Sequence, residues 1–470
     1  MMALHGMLRR LLPRPGRISW CMKRAMSQTG QRERCFQYPK KKKQGALSSD
    51  ASWEERLSDV VTPLWRLGYE EQLQYKMGAM QDVLRELTQR LKEHGGKNCD
   101  HNDLVCPLHE ILPSPEIYGY RNKTSFSVNC GPDGDPKTVG HFVGKSRERN
   151  IVCVRTDHLI NIPEKHKLAA KCYEDFLHLS PLQPCIRYHD GGHWREIIVR
   201  TNSHGETMAI VIFHPQDFGQ DEVCFHMQSL KEYFTKGAGS ICNLSSLYYQ
   251  LNDTKTHQPT SPVLLYGIPH LIEQILDLRL RVSPTTFLQV NTPAAERLYR
   301  TLGNMNQDHV SRTLFDVCCG TGVIGLSLAD RYQEVIGVEL ANEAVSDADW
   351  NAAYNEIKNC QFIAGRAEKL LPQLLETRPE SEPVVAVVNP PRAGLHPRVV
   401  RALRRCESLR TLLFVTCKLN GEAGRNLIEL CCPSSPEKRL LGESFVPQEA
   451  VAVDMFPHTA HCELVLRLTR

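Results

Sequence analysis

No apolar run in this 470-residue chain approaches the ~20 residues that a membrane-spanning helix requires. A secretory signal with a central apolar stretch is also missing. The 18 cysteines are scattered and form no regular framework. Together these absences argue against a disulfide-stapled exported protein, and the cysteines are read as mostly reduced and buried. Cys99 and Cys106 lie near His101 and His109, but their spacing fits neither paired CxxC metal ligands nor an iron–sulfur run, so no metal is expected. A strong charge of either sign is lacking too. The formal net charge is only +4, so any nucleic-acid surface must come from local patches.

Acidic residues are absent from positions 1–32, which hold seven Lys or Arg. An acid-poor, Arg-rich, amphipathic start is the pattern of a mitochondrial presequence. A disordered basic tail, or a nuclear signal at Lys40-Lys41-Lys42-Lys43, is the competing interpretation. We expect residues 1–48 to be presequence and disordered linker, and the protein to reside in the mitochondrial matrix.

The length allows two or three domains. Residues 49–96 read as helical. Trp53, Leu57, Val60, Val61, Leu64 and Leu67 recur at three- and four-residue spacing, as do Met80, Val83, Leu84, Leu87 and Leu91. Pro63 interrupts the pattern, and His94-Gly95-Gly96 ends it. Residues 97–282 read as an α+β domain that opens with a linker. Alternation over 124–128, a turn signal at Gly131-Pro132-Asp133-Gly134-Asp135 and apolar runs over 138–143, 194–200 and 208–213 predict antiparallel strands. Tyr118, Tyr120, Arg121, Lys123 and Phe126 interleave aromatics with cations. That mixture suits stacking on splayed RNA bases, or else core aromatics beside solvated cations.

From residue 283 onward, strand and helix signals alternate. Runs over 313–317, 334–339, 383–388 and 412–416 predict a doubly wound α/β sheet. Gly320-Thr321-Gly322-Val323-Ile324-Gly325 follows the first of these strands and opens a helix. Glycines let the backbone turn tightly against a ligand, and a helix start adds positive polarity. Glu339 ends the second strand, where a carboxylate can take ribose hydroxyls. These two features alone fit a dinucleotide or S-adenosyl-L-methionine. Asn389-Pro390-Pro391-Arg392, after the third strand, favours the second: a rigid turn beside the crevice can face cofactor and nucleobase together.

Cys417 closes the fourth strand with Lys418 beside it, a cation that would favour the thiolate. Carbon 5 of uracil is a poor nucleophile. A thiolate that adds to C6 makes C5 nucleophilic, which is covalent catalysis. After alkylation the C5 proton must leave, and Glu463, two residues after His461, is the candidate base.

In this order the motifs resemble those of the RNA 5-methyluridine (uracil-C5) methyltransferases. The resemblance covers residues 284–470 closely and is recognisable from Thr62. It includes Phe287-Leu288-Gln289-Val290-Asn291, the glycine turn, the Asn-Pro-Pro-Arg turn, Thr416-Cys417 and Pro457 through Glu463. Tyr120-Arg121-Asn122-Lys123 with Phe126 looks like the family's RNA-facing segment, and Thr62-Pro63-Leu64-Trp65 with Tyr69, Gln72 and Lys76 matches as well. The resemblance implies a Rossmann-like, S-adenosyl-L-methionine-dependent methyltransferase domain over 283–470, preceded by an α+β RNA-binding central domain and an N-terminal helical segment. It further implies that Gln289, Glu339 and Asn389 contact the cofactor beside Gly320 and Gly322, that Cys417 is the nucleophile and that Glu463 is the proton acceptor. The implied substrate is the T-loop uridine of mitochondrial tRNA, with a uridine of small-subunit rRNA as a further candidate. A monomer without membrane association is expected.

Three departures stand out. The family usually has Asp at the position of Asn389. Val323 occupies a place where bacterial relatives often carry a polar residue. The iron–sulfur cysteines of the bacterial rRNA branch have no counterpart, which implies a cluster-free enzyme. Three other functions are compatible with parts of the pattern. Adenine amino methylation uses a similar Pro-Pro turn, but it wants an aromatic where Arg392 stands and needs no cysteine. A non-catalytic RNA-folding factor is kept open by Asn389. A nicotinamide dehydrogenase is the weakest alternative.

Overall fold

Two seven-stranded sheets organise the chain. The computed structural model describes residues 51–96, 103–144, 150–186, 191–252, 259–306, 312–419 and 421–470, all within one unit, Leu47–Arg470. The expected presequence lies outside the described residues, as do Cys99 and His101.

The helical N-terminal region is two helices, α1 (Trp53–Val61) and α2 (Tyr69–Glu93). Ser52 caps α1 by accepting the Glu55 N–H at 3.2 Å, and the chain breaks at Thr62-Pro63. At its C-terminus α2 stops at His94, where Gly95 takes a φ of 75°.

The first sheet contains β1 (Lys123–Asn129), β2 (Thr138–Val143), β3 (Val152–Val154), β4 (Trp194–Thr201), β5 (Thr207–Phe213), β6 (Ser246–Leu251) and β7 (Val263–Gly267), in the order β3-β2-β1-β4-β5-β6-β7. All neighbours are antiparallel except β5 and β6. Two helices that periodicity had not picked out, α3 (Glu164–Leu179) and α4 (Gln220–Thr235), cover one face. Every residue of β5 is buried because its two faces serve two cores. Ala209, Val211 and Phe213 pack with α3 and α4, whereas Met208, Ile210 and Ile212 join the core of the second sheet. A hairpin, β8 (Leu271–Ile275) and β9 (Leu278–Val282), leads on.

After α5 (Thr292–Met305) comes the second sheet: β10 (Thr313–Val317), α6 (Val323–Ser327), β11 (Glu334–Glu339), α7 (Asn342–Tyr354), β12 (Cys360–Ala364), α8 (Ala367–Glu376), β13 (Val384–Val388), α9 (Pro397–Arg405), β14 (Leu409–Thr416), α10 (Glu422–Cys431), β15 (Val446–Val453) and β16 (Glu463–Thr469). The order is β12-β11-β10-β13-β14-β16-β15. The first five strands are parallel and β16 is antiparallel to both of its neighbours. Their continuous apolar runs follow from burial on both faces. This is the doubly wound sheet expected from the sequence, and its order reverses between β10 and β13, where ligands bind in such folds.

The N-terminal helix is part of this layer. Leu84, Leu87 and Leu91 of α2 share one core with Phe315, Val388, Leu412 and Leu427. Leu108 and Leu112 form bridges to Ala450 and Val453 of β15. Leu84 is fully buried. Truncating it to Ala is expected to lower global stability by ~2–5 kcal/mol through the cavity left behind. Urea unfolding followed by circular dichroism should show one shifted transition, not a separate early loss of α2.

Candidate active site at the C-terminal edge of the second sheet

The parallel strands deliver the expected site residues to one edge. Val317 pairs with Val338 and Val388, and Val388 with Phe414, so the segments after β10, β13 and β14 and the end of β11 emerge side by side. The glycine turn, Glu339, Asn389 and Cys417 follow from that register. Glu463 reaches the same edge from the opposite direction. The ladder between β14 and β16 ends at Thr416 opposite Leu464, and one further step puts Cys417 opposite Glu463. Cross-strand partners present their side chains to the same face.

The turn after β10 is tightly built. Cys318, Gly320 and Gly322 all take positive φ, at 64°, 56° and 76°. A Cβ on Gly322 would come within 2.6 Å of the Phe362 ring, whereas one on Gly320 would meet nothing within 4 Å. Gly322 therefore packs the turn onto the sheet, and Gly320 leaves room for a ligand against the backbone. Helix α6 does open at Gly322, but it runs for only five residues. Polarity at the turn thus comes from its own N–H groups more than from a long row of aligned dipoles.

Glu339 is preorganised. Its carboxylate accepts the Gly320 N–H at 3.0 Å, the Leu340 N–H at 2.7 Å and the Ala341 N–H at 3.0 Å. A carboxylate has about four acceptor positions, so capacity remains for a ligand hydroxyl. Gln289 sits in the loop between β9 and α5. Asn122 donates to its carbonyl at 2.7 Å, Arg200 donates to the Thr286 carbonyl, and Asp347 accepts from Ser283 and Thr286 at 2.9 and 2.6 Å. Asn291, the α5 cap, donates to the Met455 carbonyl at 3.3 Å, which ties this loop to the turn between β15 and β16. An open glycine backbone, a carboxylate with a spare acceptor and a strand-end amide fit the hydroxyls and polar tail of a nucleoside-type cofactor.

Known proteins resolve what this edge belongs to. Residues 274–470 match the family model described as tRNA (uracil-5-)-methyltransferase. The mouse tRNA (uracil-5-)-methyltransferase homolog B is 54% identical over 429 residues, covering 90% of this chain and 87% of that protein. The chain belongs to the tRNA (uracil-5-)-methyltransferase family. This is a family of S-adenosyl-L-methionine-dependent enzymes. Mouse homolog A is 40% identical, over 88% of this chain and 69% of its own. A crystal structure of the Pyrococcus abyssi tRNA (uracil-54, C5)-methyltransferase, in complex with S-adenosyl-L-homocysteine, has the same fold. It aligns with a TM-score of 0.59 and 21% identity over 86% of this chain and 85% of that one.

The electrostatics refine what the family motifs suggested. Lys418 was expected to favour a Cys417 thiolate. Partial burial and the neighbouring Glu463 instead push the thiol above its ordinary value, and Arg392 and Lys418 only offset this. The side chain is nonetheless exposed. Burial alone raises Glu463 to about 8, so its carboxyl is mostly protonated at neutral pH. Asp316, within β10 just ahead of the glycine turn, is fully buried and raised to about 7 by desolvation. It accepts the Gly325 N–H at 2.9 Å and fixes the far end of the turn. A carboxylate inside an apolar strand, Leu314-Phe315-Asp316-Val317, is a readable signal for such a role. No comparable signal marks Asp347, whose partners lie more than sixty residues away.

The aromatic segment divides. Tyr120 is buried and donates to the Pro457 carbonyl at 3.1 Å, and Phe126 lies wholly in the core. Neither can stack on a base, contrary to the expectation for an RNA-facing segment: Phe126 lies in the core that β1 shares with α3, and Tyr120, ahead of β1, is tied to the 457 turn. Tyr118 is 64% exposed, with its ring 5.2 Å from that of His458. Lys123, largely buried beside Arg200, is depressed to about 8.

Because Glu463 is raised in the folded chain, its neutral form favours folding and its ionised form opposes it. That contribution is complete below about 4.5 and is lost as pH climbs to about 8. Glu463→Gln carries no such dependence. Its melting temperature relative to wild type should therefore rise between pH 5 and pH 8.5, as read by differential scanning fluorimetry.

Proposed function

We propose that this protein methylates C5 of a uridine in RNA, with Cys417 as nucleophile and Glu463 as proton acceptor. The observation that supports this reading is the seam where β14 and β16 end. It sets a solvent-accessible thiol opposite a buried carboxyl, beside a glycine turn and an acidic strand end suited to the cofactor. Glu339 would hold the cofactor's ribose hydroxyls, and Gly320, Gly322, Gln289 and Asn389 would line the rest of its site.

The reaction balances on these groups. Cys417 gives up its proton to water at the exposed sulfur, and the sulfur bonds to C6 of the uracil. The electron pair of the C5–C6 double bond moves toward the C4 carbonyl, which makes C5 nucleophilic. S-adenosyl-L-methionine, when bound, supplies an electrophilic methyl group to that carbon. Glu463, once its carboxyl has given up its own proton to water, takes the proton from C5 as the carboxylate. The sulfur–C6 bond breaks, the double bond re-forms and the thiolate is released. Protein that shields the seam from bulk water keeps the carboxyl basic enough for this step.

We assign a uridine of tRNA as the substrate, from the names of the relatives; within it we propose the T-loop uridine that the motif resemblance implies, with a small-subunit rRNA uridine as the second candidate. A T-loop base is stacked in the folded tRNA and has to be flipped out, at a cost of a few kcal/mol that pocket contacts offset. The acid-poor, Arg-rich start supports action in the mitochondrial matrix, and we propose a monomer. No helix among the described residues is long and apolar enough to cross a membrane.

Covalent trapping tests the proposal. Mature protein is incubated with S-adenosyl-L-methionine and 5-fluorouridine-substituted mitochondrial tRNA or small-subunit rRNA transcripts. Fluorine at C5 cannot leave as a proton, so turnover stalls with RNA on the sulfur. A denaturant-resistant adduct is expected with tRNA that requires both the cofactor and Cys417 and is lost in Cys417→Ala. With unsubstituted RNA, Glu463→Gln should accumulate an adduct that wild type resolves. RNA binding without any adduct would favour the folding-factor reading that Asn389 keeps open.

A further inference from the structure

The turn that brings in Glu463 has almost no regular structure of its own. It runs from Asp454 to Cys462 between β15 and β16. About half of the hydrogen bonds that hold it from outside come from the N-terminal helix α2, although the two are 378 residues apart in sequence. Lys76 is wholly buried. It donates to Asp454 Oδ1 at 2.6 Å and to the Phe456 carbonyl at 3.0 Å. Tyr69 donates to Asp454 Oδ2 at 3.0 Å, and Asp454 Oδ1 also accepts the Phe456 N–H at 3.1 Å. One turn along α2, Gln72 accepts the His458 N–H at 2.8 Å and lies 3.0 Å from His458 Nδ1. His458 holds a positive φ of 66° within this grip. The far side of the turn is closed by Thr459, whose hydroxyl accepts the His461 N–H at 3.2 Å.

A stabilising role alone explains this arrangement poorly. A buried ion pair is often no more stabilising than well-packed apolar residues of the same volume. It does hold a turn to one position and direction. Here that turn ends at Glu463, whose carboxyl must meet one proton on one face of a base. We propose that Lys76 and Asp454 are positioning residues for Glu463: the α2 network sets the approach of the base to C5 and governs resolution of the covalent intermediate. This rests on the assignment of Glu463 as proton acceptor.

The test separates positioning from stability. In the full-length protein, Lys76→Met is combined with Asp454→Leu, so that no charge is left buried alone, and Tyr69→Phe serves as a milder second variant. Single-turnover reactions use T-loop RNA carrying protium or deuterium at C5 of uridine, quenched in denaturant to count protein–RNA adducts. The double variant should melt close to wild type and form the adduct at close to the wild-type rate. It should resolve that adduct roughly 10²-fold more slowly, as expected for a misplaced reacting group. It should also show a larger deuterium effect on resolution than wild type. Tyr69→Phe should slow the same step by a few-fold, and it decides the matter if the double variant does not fold. Resolution at the wild-type rate in the variants, or equal slowing of adduct formation and resolution, would overturn the inference. If wild type forms no adduct, the assignment of Cys417 and Glu463 has failed and the positioning role falls with it; an adduct that only wild type resolves normally supports both.

Discussion

Burial of the Glu463 carboxyl at the seam between β14 and β16 is the constraint on which the site depends. An acid enclosed by apolar strand ends is pushed up to about 8, into the range where it can both hold and release a proton near neutrality. Burial raises the thiol opposite it as well, and the Glu463 charge adds to this whenever the carboxyl is ionised. At rest the pair is therefore largely neutral, which is the less costly state for two acids sharing a poorly solvated seam. On the proposed mechanism, protons must then leave in sequence, from sulfur, from Glu463 itself and last from carbon.

That arrangement explains why the second sheet departs from an all-parallel plan. A parallel strand would have brought its C-terminal end to this edge, beside the end of β14. Antiparallel β16 instead brings its first residue to the edge, so a buried strand residue faces the exposed terminus of β14. The turn that makes this reversal possible has almost no regular structure of its own, and α2 helps to hold it. The N-terminal helix, the segment leading into the central sheet through Tyr120, and the Gln289 loop through Asn291 all converge on residues 454–458. Each layer of the chain thus bears on the same turn.

Much of this was legible in the sequence. Strands buried on both faces read as continuous apolar runs, and their order with the glycine turn announced a doubly wound sheet. Cys417, Asn389 and Glu339 could be placed at one edge because each follows or ends such a run. The tertiary terms were not legible. The neighbouring Lys418 suggested a thiolate, but the sequence gives no measure of desolvation, and here it prevails over the nearby cations. Phe126 and Tyr120 look identical to stacking residues until the strand's facing is known. Helices α3 and α4 are amphipathic only weakly, because central-sheet contacts, not a strong apolar stripe, fix them. The partners of Asp454 and Asp347 lie in remote segments, and no local pattern encodes such pairs.

The central claim is that Glu463, the proposed base, is held largely protonated by burial. It is tested most directly by following the Glu463 carboxyl itself, with carbon-13 glutamate labelling and NMR titration, using Glu463→Gln to assign the signal. The account predicts a titration near pH 8 in the free protein. A midpoint near the ordinary glutamate value of about 4.5 would show a solvated carboxylate and contradict it.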